Sequence, residues 1–267
     1  MFNQGSSMKV IFFVVAAFYS NIIWATQQEI AVSRLSEDAF VLTSVSNGTN
    51  IGVLNTIDGV VLIDPMPGEG HLDALHGLIQ TLTGAKANFI LNTHAHSDHT
   101  GGNSYFLARG ASLIDDLASV SGLVSKQAKS HSAIDNIFYH KKSNSIWGGD
   151  IYDTRWHPTF YAGGISGFSA AIDCILQLGD EQSLIVPGHG KPTSKTELRT
   201  FKNNTLDWVA RVRALKNAGL TVGEMKRDPQ LNQMKDTFNR DNKPDFIPEA
   251  ALVRFIERTL TMIEQAE

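Results

Sequence analysis

The stretch ILNTHAHSDHTGGN, Ile90 to Asn103, places His94, His96, Asp98 and His99 within six positions. A single histidine on an apolar face is usually a satisfied core residue, and a single aspartate in a loop usually faces water. Four such side chains on one turn are different. Without a cation they would crowd an acid and several bases into one desolvated place with no partner. Imidazole suits zinc and other late divalent ions, and a carboxylate can terminate or bridge two of them. His94 and His96, two apart in extended backbone, can point the same way, while Asp98 and His99 come from the following turn and can reach a second ion. The pattern calls for two metal ions. Its setting agrees: ANFILN (Ala87 to Asn92) reads as a buried strand, and Gly101-Gly102-Asn103 leads into a short helix, Ser104 to Arg109, that Gly110 can close. A strand, a ligand-bearing turn and a helix in succession let groups converge above a sheet.

One turn cannot complete two shells, so more ligands must come from elsewhere. Three candidates have sharp local context: His131 in SHSAID, Asp150 in WGGD, and His189 in PGHG. Each abuts an expected strand end or glycine turn. The runs DAFVLTS, NGTNIGVLNT and VVLIDPMPG between residues 38 and 68 read as a meander of antiparallel strands, with Asp64 at a strand end. Leu72, Leu75, Leu78 and Ile79 recur at helical spacing; His71 and His76, on or near that helix, read as surface or packing residues. ASLI is expected as a strand, followed by a helix through Leu117, Val120, Leu123 and Val124. NIFYH and SIWGG form a hairpin around a turn at residues 141–144. A helix follows from about Gly167 to Leu178; Cys174 lies beside its apolar stripe as a small packing residue. SLIVPGHG is another short buried strand. Two long helical patterns close the chain, one ending at Gly219 and one from Pro248 to Gln265.

Met8-Lys9, the apolar run Val10 to Tyr19 and Ile23-Trp24-Ala25 together read as a secretory signal, cleaved after Ala25. The run is shorter than the roughly 20 residues that cross a bilayer, so no stable membrane insertion is expected after cleavage. The expected organisation is a signal over 1–25, a catalytic domain over 26–194 and a helical extension over 195–267 packed on that domain. Cleavage removes Lys9, one of 23 basic residues, and leaves all 27 acidic ones. An acidic chain gains nothing from phosphate backbones, which argues for a small-molecule substrate and against nucleic acid. Cys174 is the only cysteine, so no internal disulfide forms even in an oxidising compartment.

Asp64, then His94-Ala-His96-Ser-Asp98-His99, then His131, Asp150 and His189, over about Gly52 to Gly190, resemble the motif series of the metallo-β-lactamase-fold hydrolase superfamily. Within it the chain is most similar to exported bacterial zinc hydrolases associated with quinoprotein systems, which share HTGGN, a GD after a hairpin, PGHG and a long helical tail. The resemblance implies an α/β (α+β) fold: a four-layer αββα sandwich with a C-terminal helical extension. It implies two zinc ions, one held by His94, His96 and His131, the other by Asp98, His99 and His189. Asp150 would bridge them, and Asp64 would orient a ligand. One departure stands out: relatives carry a longer stretch, with strands, before the third histidine. The spacing from His131 to Asp135 and Asp150 keeps His131 as the ligand; His140, in the hairpin and expected to be exposed, is the reserve.

Two ions about 3.5 to 4 Å apart can share a water and bring its pKa from 15.7 toward roughly 7. The expected enzyme is thus a dinuclear zinc hydrolase, periplasmic or secreted, whose metal-bridging hydroxide cleaves a small ester, thioester, lactone or amide. Asp98 would orient the hydroxide. β-Lactams fall within the amide class, but antibiotic-resistance branches with a cysteine at the second metal place it where this chain has Asp150. Oxygen-reducing di-iron relatives carry glutamate where it has His96. In DIYDTRWHPTFYAGG, Arg155 is a candidate partner for a substrate carboxylate, Trp156 and Tyr161 can equally pack on the sandwich, and His157 is not expected to ligate. The alternative is a catalytically weak or inactive metal-binding component of a periplasmic redox system, suggested by the shortened stretch before His131.

Overall fold

The computed structural model describes residues 30–44, 48–114, 120–240, 242–244 and 246–266. The signal expected over residues 1–25 lies outside them. Among the described residues no helix is long and apolar enough to cross a membrane.

The chain opens with β1 (Ile30–Arg34), β2 (Ala39–Ser44), β3 (Asn50–Thr56) and β4 (Gly59–Ile63), each antiparallel to the one before. Helix α1 (Leu72–Thr83) crosses over, so β5 (Ala87–Leu91) lies parallel to β4. The one-turn α2 (Ser97–Thr100) and the short α3 (Asn103–Leu107) lead to β6 (Ser112–Leu113), the far edge of this six-stranded sheet. Next come β7 (Leu123–Ala128), β8 (Asp135–His140) and β9 (Ser145–Gly149), all antiparallel neighbours. Helix α4 (Gly164–Gln177) makes the second crossover, to β10 (Leu184–Pro187), which lies parallel to β9. The two-residue β11 (Thr193–Ser194) completes a sheet ordered β11-β10-β9-β8-β7. The tail holds α5 (Lys195–Asn217), α6 (Val222–Met225), α7 (Pro229–Asp236) and α8 (Glu249–Ala266).

Strand alternation divides the core into three. On β4, Val60 and Leu62 face α1 with Leu75 and Ile79, whereas Val61 and Ile63 face the other sheet. On the second sheet Phe138, Trp147 and Val186 meet them, while Ile137, Ile146 and Ile185 turn outward to α4, α5 and α8. Because successive side chains on a strand point to opposite faces, two sheets apolar on both faces require a helical cover on each side. The result is the expected four-layer sandwich. The tail packs as part of the outer layer: Trp208 of α5 stacks on Phe255 of α8 with ring centroids 4.3 Å apart. Lys195, almost wholly buried, donates to the carbonyls of Leu176 (2.8 Å) and Leu178 (2.6 Å), so its charge closes the C-terminal end of α4.

Two expectations need correction. Leu123 and Val124 lie on β7, not on a helix; Leu117 falls outside the described residues. All six residues of β7 pair with β8, a non-local contact that outweighs a brief helical spacing. His140 is buried rather than exposed, and its Nδ1 lies 2.7 Å from the Ser143 hydroxyl.

Candidate metal centre

The seven singled-out side chains converge at one rim of the sandwich, where loops from both sheets meet. β5 ends at Leu91, and the chain turns so that His94 and His96 precede α2. That single turn, closed by the Thr100 amide on the His96 carbonyl (3.0 Å), carries Asp98 and His99. His131 sits on the turn between β7 and β8. The Asp135 carboxylate shapes that turn by accepting the amides of Ser130 (2.9 Å) and Ser132 (3.1 Å) and the Ser132 hydroxyl (2.7 Å). Asp150 follows β9 directly after Gly149, whose φ of 51° favours glycine and where a Cβ would collide with Thr93. His189 follows β10, preceded by Gly188, where a Cβ would strike the Asp150 carboxylate.

Two groups result, joined by Asp150: His94, His96, His131 and Asp150, and Asp98, His99, Asp150 and His189; within each, the candidate ligand atoms lie within 4.8 Å of one another. In the first, His96 Nδ1 is 3.0 Å from both His94 Nε2 and His131 Nε2. Asp150 Oδ2 is 3.8 Å from His94 Nε2 and 3.6 Å from His131 Nε2. In the second, Asp150 Oδ1 is 3.3 Å from His99 Nε2 and 3.5 Å from His189 Nε2. Asp98 Oδ2 is 3.3 Å from His189 Nε2 and 3.7 Å from His99 Nε2. A tetrahedral shell with bonds of about 2.0–2.1 Å has edges of roughly 3.4 Å, so both groups have the span of such a shell.

Neighbouring groups also fix which ring nitrogens turn inward. His99 Nε2 and Asp150 Oδ1 are buried and make no hydrogen bond. Orphaned buried polar atoms are costly, and here they face each other across the space a cation would fill. Asp64 sets the tautomers: its Oδ2 accepts from His99 Nδ1 (2.9 Å) and from the Thr93 hydroxyl (2.5 Å). With its own proton committed to Asp64, Thr93 Oγ1 accepts from His94 Nδ1 at 3.1 Å. Nδ1 of each ring is thereby committed, and Nε2 is the nitrogen each ring turns into the clusters. Asp64 thus orients ligands of both groups.

Charge is distributed to match. Burial lowers the His94 imidazole to about 4 and lowers that of His131 as well, so both are neutral, the form a metal requires. At His99 burial works against the proton, yet Asp150 and Asp64 outweigh it and raise the group to about 11, so without an ion its Nε2 carries a proton that a bound cation would displace. Burial likewise opposes the Asp150 carboxylate, but His99, His189 and His131 hold it well below the usual range. The hydrogen bond with His189 brings Asp98 to about 2. The second group therefore draws positive charge.

Several residues absent from the sequence reading hold the rim together. The buried Asn50 amide donates to the carbonyls of Pro187 (2.9 Å) and Gly190 (2.6 Å), clamping the His189 turn to β3. Thr49 donates to the Asp98 carbonyl (2.9 Å), and Thr159 contacts His131 Nδ1 (2.6 Å). The reserve candidate His140 is not brought to the centre. His157 is buried and stacks on Phe255 (4.2 Å), and His76 packs beside Tyr105 and Phe106. Trp156 packs on Phe246 and Tyr161 beneath Arg258, so the aromatic loop is largely structural. Arg155 lies over Gly48 and Gly190 and makes no side-chain hydrogen bond among the described residues. Cys174 is a half-buried free thiol.

Residues 46–111 match the family model described as the Metallo-beta-lactamase superfamily. The chain is 25% identical over 201 residues to a metallo-beta-lactamase type 2 from a Bacillus species (strain 170), covering 62% of this chain and 78% of that protein. Among solved structures, a metallo-beta-lactamase from Erythrobacter litoralis with beta mercaptoethanol in the active site superposes with a TM-score of 0.58 at 12% identity, over 66% of this chain and 95% of that one. The metallo-beta-lactamase FIM-1 from Pseudomonas aeruginosa, in its mono-zinc form, gives 0.55 at 14% identity, over 65% and 93%.

Proposed function

We propose that this chain is a dinuclear zinc hydrolase of small esters, thioesters, lactones or amides, of the metallo-beta-lactamase superfamily whose model its residues 46–111 match; two candidate ligand groups meeting around one shared aspartate support this reading. The observation that carries this reading is the facing pair of orphaned atoms, His99 Nε2 and Asp150 Oδ1, at the junction of the two groups. His94, His96 and His131 would hold one ion, Asp98, His99 and His189 the other, and Asp150 both. Bound there, the ions supply Lewis acidity toward the substrate's oxygen and an activated water at neutral pH. The chain's own residues do the rest. Asp98, half-exposed and ionised at neutral pH, is the group placed to accept a hydrogen bond from the attacking water and hold it in line. Asp64 and Thr93 keep His99 and His94 in the ligating tautomer. Asp150 contributes a carboxylate where β-lactam-hydrolysing branches with cysteine at the second metal carry a thiolate, which favours thioester- or ester-type substrates.

Residues 1–25 support export to the periplasm, and HTGGN, GGD, PGHG and the helical tail support a place among the quinoprotein-associated members. The test is metal analysis of the purified protein, then turnover of an ester, a thioester, a lactone and a cephalosporin. Hydrolysis abolished by a chelator and restored by zinc is expected. Two bound ions with no turnover on any substrate would replace this reading with a metal-binding role.

A further inference from the structure

The two sheets end side by side at β6 and β7, and among the described residues neither strand has a pairing strand on its outer side. A cavity of about 860 Å³ lies between them, and His94 and Ala95 form part of its wall. The trough therefore runs up to the loop that carries the first ligand group. Its size falls within the range of roughly 300–1,000 Å³ found for small-molecule sites.

Its lining is specific in chemistry. Four primary amides line it: Gln127 Nε2 donates to Asn136 Oδ1 (3.2 Å), Asn136 Nδ2 to the Asn92 carbonyl (2.9 Å), and Asn92 and Asn103 bond each other reciprocally (3.4 and 2.7 Å). Each of these amides has two N–H hydrogens and, among the described residues, spends one, so the other is a donor whose direction the bond already made fixes. Two aliphatic side chains, Leu113 and Ile134, also line the cavity while remaining 48% and 59% exposed, an unfavourable state for large apolar groups unless something covers them. Among the described residues Lys126 is the one charged side chain of the lining apart from the titratable His94.

We propose that this trough receives an arm of the substrate that is aliphatic and amide-bearing, as in an N-acyl aliphatic amino acid, while the scissile group lies at the metal ligands. The placement of the scissile group rests on the hydrolase reading above; the binding of the arm does not. Amide donors match carbonyl acceptors, Leu113 and Ile134 match a branched aliphatic chain, and Lys126 places a positive charge on the side that acyl oxygens would face. Ala95, exposed between His94 and His96, leaves the passage from ligands to trough clear.

Zinc-loaded protein is assayed with p-nitrophenyl acetate, p-nitrophenyl hexanoate and the p-nitrophenyl ester of N-acetyl-leucine. Binding of N-acetyl-leucine amide, which needs no turnover, is followed by NMR on the same preparation. Ser125→Trp, which fills the trough from β7, is expected to lower kcat/KM for the N-acetyl-leucine ester about tenfold relative to the acetate, mainly through KM. Gln127→Leu should lower it relative to the hexanoate. N-acetyl-leucine amide should shift the resonances of Leu113, Ile134 and Gln127. Because rates are compared within one preparation, a poorly folded variant lowers all three and leaves the ratios in place. Ester cleavage with ratios unmoved in both variants and no amide bound would overturn the proposal. Amide bound in the trough with no ester cleaved would uphold the site and overturn the hydrolase reading; neither cleavage nor binding would overturn both.

Discussion

Asp64 shows how much one side chain can govern at this centre. Its backbone has φ 52°, a left-handed conformation that few residues other than glycine, asparagine and aspartate accept readily. From there its carboxylate reaches the Thr93 amide (2.8 Å), the Thr93 hydroxyl and His99, and through Thr93 it governs His94. Asp64→Asn tolerates the same φ and nearly the same shape but removes the charge that holds the His99 Nδ1 proton. Zinc affinity is expected to fall roughly 10- to 100-fold, the usual cost of losing a partner behind a ligand, while the apo protein keeps its fold. Competition with a chromogenic chelator measures the first, and circular dichroism of the apo form checks the second; unchanged affinity would remove Asp64 from this role. The candidate ligands His94 to His99 were legible because histidine and aspartate at close spacing have few structural uses, and the structure brings His131, Asp150 and His189 to them. Asn50 was not legible. It lies unremarked in the strand run NGTNIGVLNT, and its importance comes from carbonyls 137 and 140 residues away. No local pattern encodes such partners.

At the scale of elements, legibility followed the length of the periodic signal. α5 and α8 were readable because their apolar stripes repeat over many turns, and the β8–β9 hairpin because turn residues separate two short apolar runs. β7 was misread because its few apolar positions fit a helix equally well, and only pairing with β8 decides between the two. The contact between the residue 150–164 loop and α8 is likewise tertiary, and it makes stability depend on pH. His157 is buried against Phe255, and that burial, together with the positive charges of Arg258 and Arg254, lowers its imidazole from 6.5 to about 4; its Nδ1–H donates to the Pro158 carbonyl at 2.9 Å. The unfolded chain therefore binds a proton between pH 6.5 and 4 that the folded chain refuses. Stability is full above pH 6.5 and falls as the pH drops toward 4, by up to about 3 kcal/mol. His157→Phe keeps the stack and lacks the titrating group. In urea unfolding of the chelated proteins, the wild type should lose more stability than the variant from pH 7 to pH 4.5. Parallel loss in both would show that His157 does not titrate against folding.

For the whole molecule, the position of the centre matters as much as its chemistry. Four of its ligand residues, His94 to His99, follow β5 of the first sheet, and His131, Asp150 and His189 follow β7, β9 and β10 of the second. The strands were legible as short apolar runs and the sandwich through the family resemblance, but the meeting of these loops at one rim depends on strand order, which local patterns do not encode. Each ion held there would tie one sheet to the other, at the rim where the inter-sheet core of Val61, Ile63, Trp147 and Val186 gives way to polar loops. Metal binding should therefore appear as global stability. An ion present at 100 times its Kd contributes about 2.7 kcal/mol, and in a domain of this size each kcal/mol moves Tm by roughly 2–4 °C. Chelation is expected to lower Tm by at least about 5 °C, and zinc to restore it in a concentration-dependent way. His131→Ala, which removes a ligand of the first group alone, should abolish part of that rise and leave the contribution of Asp98, His99 and His189. A Tm that ignores both chelator and zinc would mean that the sheets are joined by their apolar core alone, and that seven converging side chains hold no ion between them.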